Sequence, residues 1–178
     1  MNLNLIPKTR PSKIYEKVDG ALGIMYWFND KPYISTRGSF NSYQAVRATE
    51  VLHKKYSKHF SNLNRNYTYL FEIIIPENRI VLDYGLIEDL FLIGVINNIN
   101  QEEIDIVNIN ENPFPLPKEI SSTYSIKQLE RKIDIKSEGY VLIYENNFRI
   151  KLKSQSYKGL FKFYTHDLKK YAIDCKFQ

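Results

Sequence analysis

Residues 21–38, ALGIMYWFNDKPYISTRG, contain two runs rich in β-branched and aromatic residues, 21–28 and 33–37, on either side of an NDKP turn. Such side chains fit a pleated surface and Asn, Asp and Pro punctuate it, so the stretch reads as an antiparallel hairpin. Residues 41–60 then change period. Ala48, Leu52, Tyr56 and Phe60 recur every four residues while His53, Lys54, Lys55 and Lys58 fall largely on other faces, which predicts an amphipathic helix with Asn41 or Ser42 as its N-cap. YTYLFEIII (67–75) returns to strand composition, PEN (76–78) breaks it, and RIVLDYG (79–85) predicts a strand ending in glycine. LFLIGVIN (90–97) and IDIVNIN (104–110) read as further strands. ENPFPLPKEI (111–120) has prolines at alternate positions, which serve neither a helix nor a central ladder, so it reads as an extended connector. Residues 122–133 predict a short helix capped near Ser125, and EGYVLIYENNFRIKLK (138–153) a second hairpin turning at ENN. With no repeat, no GxGxxG and no regular βαβ alternation, the pattern predicts an α+β fold of antiparallel β-sheets flanked by helices, not a Rossmann fold.

The 178 residues suit one domain, 1–178, although two small lobes are compatible with the length. The single cysteine, Cys175, excludes an internal disulfide, and His53, His59 and His166 lack metal-ligand spacing, so no structural zinc is expected. The longest apolar run, LFLIGVI (90–96), is too short to cross a bilayer and the first residues lack the apolar core of a secretory signal. The expectation is a cytoplasmic protein, or one of the host cytoplasm if viral, with no membrane partner. The net charge of +5 permits a polyanionic partner without requiring one. From Arg149 onward Lys151, Lys153, Lys158, Lys162, Lys169, Lys170 and Lys176 face only Asp167 and Asp174, either a polyanion-facing tail or an ordinary solvated surface.

Immediately before the first hairpin stands Lys17-Val18-Asp19-Gly20, followed in order by STRGS (35–39), FEIIIPENRIVLDYG (71–85), EGYVLIY (138–144) and RIKLKSQSY (149–157). This ordered set, running from about Ile14 to Tyr157, resembles the covalent nucleotidyltransferases, the superfamily of polynucleotide ligases and mRNA capping enzymes. Within it the chain looks most like the RNA ligase 1 family of phage tRNA-repair ligases, which implies a ligase-type adenylation domain using ATP and Mg²⁺, with Mn²⁺ as a possible substitute.

An amine attacks only after losing its proton, and neighbouring cations or a divalent metal favour that loss. The resemblance implies that Lys17 is the nucleophile that takes AMP from ATP. A salt-bridged surface lysine is the plain alternative. Gly20 would let the backbone turn tightly beside the nucleotide. Asp19 would orient the lysine or contact ribose or metal, or simply occupy a turn. The resemblance assigns Glu72 to the ribose and Glu138 to the metal, as a hard oxygen ligand; outward position in a strand and a loop position are their respective alternatives. Lys151 and Lys153 alternate with Ile150 and Leu152, so period two sends both ammoniums to one face, a wet lysine edge or a cradle for a triphosphate. By the same resemblance Arg37 takes the place of a basic residue reaching phosphate or the RNA end. Tyr15 and Glu16 are candidates for the adenine edge, and Asn78 and Arg79 for shaping the turn after Pro76.

Sixteen residues precede Lys17, among them the basic Lys8, Arg10 and Lys13, and twenty-one follow Tyr157. That leaves no room for a separate C-terminal RNA-recognition or OB domain, so the expectation is a bare nucleotidyltransferase core, self-adenylating slowly or with an accessory protein. The leading reading is an ATP-dependent RNA ligase that joins an RNA 5′-phosphate to a 3′-hydroxyl. A GTP-using capping-type transferase and a non-catalytic nucleic-acid-binding module are the competitors.

Overall fold

The computed structural model describes Pro7, residues 9–134 and residues 136–163. Lys8, His166, Lys169, Lys170, Cys175 and Lys176, all weighed above, lie outside the described residues. Among the described residues no helix is long and apolar enough to cross a membrane. Two compact units are present. Of the described residues, one takes those up to Val18, Ile80–Leu82 and those from Lys118; the other takes Asp19–Arg79 and Asp83–Pro117.

The first unit is a four-stranded antiparallel sheet. Its strands are β1 (Lys13–Glu16), β7 (Glu119–Ile120), β8 (Gly139–Ile143) and β9 (Arg149–Lys153), in the order β7-β1-β8-β9. The cross-strand row Ile14, Leu142 and Ile150 faces the core with Tyr140 and Leu152, and Leu129 of helix α2 (Ile126–Lys132) closes it. Ser125 and Gln128 cap that helix reciprocally, so the predicted cap is the observed one. The β8–β9 turn is Glu145–Asn147, with Asn147 at φ 59°. After β9 comes helix α3 (Gln155–Lys162), absent from the sequence reading. Its cap is Ser154, whose Oγ accepts from Tyr157 N at 3.0 Å.

The second unit is a five-stranded antiparallel sheet, β3-β2-β4-β5-β6. It comprises β2 (Ala21–Phe28), β3 (Lys31–Ser35), β4 (Tyr67–Ile74), β5 (Asp89–Asn97) and β6 (Glu103–Ile104). The first turn is tighter than NDKP. Asn29 and Asp30 alone form it, at φ 48° and 60°, the left-handed pair that matches hairpin twist, and Pro32 sits in the edge strand where its missing donor matters least. Met25, Ile34, Phe71, Ile73, Leu90 and Leu92 are buried, as are Ala45, Ala48, Val51 and Leu52 of helix α1 (Tyr43–Tyr56). Ser42, not Asn41, is the α1 cap, and the chain tightens into a 3₁₀ turn at Ser57–Asn62, so the α-helix stops short of Phe60.

Helix α1 also protects the sheet edge. Thr49 Oγ1 accepts from Ile34 N at 3.0 Å, and one turn on, His53 Nε2 lies 2.7 Å from the Pro32 carbonyl. Two edge-strand groups that would otherwise invite another strand are thereby satisfied.

Two strand expectations fail. Residues 79–85 form an irregular loop because Asp83 draws the chain back on itself, pairing with Arg79 at 2.8 Å and accepting from Gly85 N at 2.8 Å, with Gly85 at φ 64°. Residues 105–110 hold only a 3₁₀ turn, Ile106–Asn108, capped by Asp105, whose side chain competes with the ladder for Val107 N. The proline-rich connector is extended as expected but also anchors: Phe114 is buried, its ring centroid 4.7 Å from those of Tyr56 and Phe71.

Candidate active site

In the first unit Lys17 follows β1, and its N–H donates to the Gly139 carbonyl at 2.9 Å. Across β8, Gly139 is paired with Lys153. The two lysines therefore flank a strand position that has no side chain, and both turn to the preceding residue. Lys17 Nζ donates to Glu138 Oε2 at 2.7 Å and Lys153 Nζ to Glu138 Oε1 at 2.8 Å. Glu138 is 2% exposed, so a buried carboxylate bridges two ammoniums with one oxygen each. Gly139 is required twice over. Its φ is 137°, and a Cβ there would lie 1.9 Å from the Leu152 carbonyl oxygen.

Ser154 and the aromatic residues beyond it, to which the sequence reading gave no role, complete this cluster. Ser154 N donates to the Glu138 carbonyl at 2.9 Å, fixing the backbone that carries the carboxylate. The Lys153 ammonium lies 5.2 Å from the Tyr157 ring and 5.7 Å from the Phe161 ring, which are stacked on each other. The signal was the Ser before QSY, a helix cap hidden behind a lysine motif.

Lys151 shares the sheet face of Lys153, as period two requires, with Ile150 and Leu152 buried opposite. It is exposed and makes no ion pair among the described residues. Glu16 is tied to Lys118: its N–H donates to the Lys118 carbonyl at 2.8 Å and its carboxylate lies 3.4 Å from the Lys118 ammonium.

In the second unit Gly20 N donates to Glu72 Oε1 at 3.0 Å. The reason for glycine here differs from the expected turn. Gly20 is not in the left-handed region; a Cβ would instead sit 2.3 Å from the Ile73 carbonyl oxygen, so β4 itself excludes any side chain. Asp19 is 4% exposed, and its N–H donates to the Tyr84 hydroxyl at 2.9 Å. Arg37 and Gly38 form the exposed tip of a tight turn closed by Thr36 N to Ser39 O at 2.9 Å, and Arg37 has no ion pair among the described residues. Asn78 and Arg79 tie down their loop, Asn78 accepting from Gln44 at 2.9 Å and Arg79 pairing with Asp83.

No group of three or more metal-ligating side chains occurs among the described residues. Glu138 is a single buried carboxylate, and its hard oxygens are of the type that suits Mg²⁺.

The chain is 26% identical over 166 residues to a protein of Autographa californica nuclear polyhedrosis virus named as a bifunctional polynucleotide kinase/RNA ligase; the match covers 84% of this chain and 24% of that protein. Solved mutant forms of Naegleria gruberi RNA ligase share the fold. One with ATP and Mn aligns at TM-score 0.62 and 17% identity over 86% of this chain and 52% of that one. Another with AMP and Mn aligns at TM-score 0.62 and 18% identity over 84% of this chain and 51% of that one. The chain thus spans about half the length of those structures and about a quarter of the viral relative. A family model described as RNA ligase matches residues 2–157, and the chain belongs to the RNA ligase family.

Proposed function

We propose that this chain is the nucleotidyltransferase core of an ATP-dependent RNA ligase, with Lys17 as the nucleophile. The observation that carries the reading is the buried Glu138 carboxylate shared by Lys17 and Lys153. Lys17 is held on a strand end, 14% exposed, with its ammonium anchored and its neighbour cationic. To react it must leave Glu138 and give up a proton; its nitrogen then forms a bond to the α-phosphorus of ATP while the bond from that phosphorus to the bridging oxygen of pyrophosphate breaks. Lys153 and Lys151 supply positive charge where negative charge gathers on the phosphates. Glu138 is the residue that would hold Mg²⁺, which supplies charge neutralisation for the triphosphate when bound. Glu72, fixed by the Gly20 amide, is assigned to the ribose, and Arg37 to phosphate or the RNA end. AMP then passes from Lys17 to an RNA 5′-phosphate, and a 3′-hydroxyl displaces it to seal the strand.

The experiment is incubation of the pure chain with α-phosphate-labelled ATP or GTP and Mg²⁺, followed by a denaturing gel and a chase with 5′-phosphorylated RNA. An acid-labile adduct from ATP that moves to RNA supports the reading. An adduct from GTP alone favours a capping-type transferase, and RNA binding with no adduct from either favours a binding module.

A further inference from the structure

Strand β2 alternates strictly, and its register fixes what shares a face. Leu22, Ile24, Tyr26 and Phe28 lie on one side; Leu22 is paired with Glu72, Tyr26 with Tyr33, and Phe28 with Lys31. On that face the rings form a continuous stripe. Phe40 meets Tyr26 edge-on at 5.2 Å, Tyr26 stacks on Tyr33 at 5.9 Å, and Tyr33 meets Phe28 at 6.3 Å. Beyond the sheet edge the row continues from Tyr33 to His53 at 5.5 Å and from His53 to Phe60 at 5.4 Å. Its ends are open to solvent among the described residues: Phe28 is 60% exposed and Phe40 is 70% exposed.

A core does not need rings in these places, because the opposite face of β2, with Met25, already packs the unit. The stripe is also electrically biased. Lys31 and Arg37, at two of its margins, are exposed and form no ion pair among the described residues, whereas Asp30 in the adjoining turn is matched by Arg65 at 2.6 Å. Flat rings to accept bases, with unmatched cations beside them to accept phosphates, are the chemistry of single-stranded nucleic acid recognition.

We infer that this stripe is a docking surface for single-stranded RNA, with bases stacking on Phe28 and Phe40 and phosphates meeting Lys31 and Arg37. The inference rests on the ligase reading in one respect, the placement of the nucleotide at Glu72. Tyr26 lies four residues along β2 from the position paired with Glu72, about 13 Å, and Phe28 six, about 20 Å. A strand whose end is being processed would run along this same sheet face for several nucleotides.

The test is fluorescence anisotropy of a labelled single-stranded oligoribonucleotide titrated with the parent chain, the F28L/F40L double variant and the F28W/F40W double variant, with thermal unfolding run on each. Stacking predicts a loss of about tenfold or more in affinity for the leucine variant at unchanged melting midpoint, and retention by the tryptophan variant. Arg37→Ala should lower the slope of log affinity against log salt by about 0.7, one single-strand phosphate contact. Leucine-variant affinity within about twofold of the parent overturns the inference, since a sequence-tolerant platform of this kind works through its rings. So does equal loss in both double variants, or a parent that fails to bind. Adduct formation from ATP, measured separately on the parent, judges the ligase reading by itself.

Discussion

Lys17 and Glu138, 121 residues apart in sequence, are joined by a 2.7 Å charged hydrogen bond. The bond exists because β1 and β8 run antiparallel and Lys17 N closes the ladder onto Gly139. Glu138 also holds Lys153, so it keeps two like charges together that would otherwise repel. Glu138→Gln should therefore destabilise the chain by about 1–3 kcal/mol in urea unfolding, since it strips a buried charge from two partners. It should slow labelling about 100-fold or more. Lys151→Ala, at an exposed position, should alter stability by less than about 0.5 kcal/mol while still slowing labelling. Stability loss in Lys151→Ala, or none in Glu138→Gln, would contradict this division of roles.

The glycines divide by what surrounds them. Gly20→Ala and Gly139→Ala should each cost at least about 2 kcal/mol, because each new methyl meets a backbone carbonyl, and Gly139 adds a left-handed φ. Gly159, in α3 with open space around it, should behave oppositely, and Gly159→Ala should stabilise by up to about 1 kcal/mol. Chemical denaturation of the three variants checks the order.

Burial, then the hydrogen bond its hydroxyl donates to Asp89, raises the Tyr56 pKa well above its ordinary value of 10.0. Above pH 10 the unfolded chain loses this proton while the folded chain keeps it, so this contribution is complete below pH 10 and is lost as pH rises toward the folded value. Tyr56→Phe, which cannot titrate, should be about 1–2 kcal/mol less stable than the parent at pH 8, with the gap narrowing as pH rises above 10. A gap that widens over that range would reverse the sign.

The hairpins, both principal helix positions and the α+β class were legible because periodicity and caps are local. What escaped depended on side chains that compete with the ladder. Asp83 and Asp105 each bind nearby backbone N–H groups, and so turned two strand-like stretches, 79–85 and 105–110, into loops. Helix α3 was hidden because Ser154 and Tyr157 stood in a motif that invited a chemical reading before a structural one. For the site, period two placed Lys151 and Lys153 on one face, but only the fold shows that Glu138 takes both Lys17 and Lys153. Glycine at 20 was expected for conformational freedom; the nearby Ile73 carbonyl supplies the actual demand.

The most direct measurement is peptide mapping by mass spectrometry after reaction with ATP and Mg²⁺, on the parent and on Lys17→Ala. AMP is expected on the peptide bearing Lys17, bonded to that side chain, and nowhere in a folded Lys17→Ala protein. AMP on another lysine, or equal labelling of the variant, would contradict it.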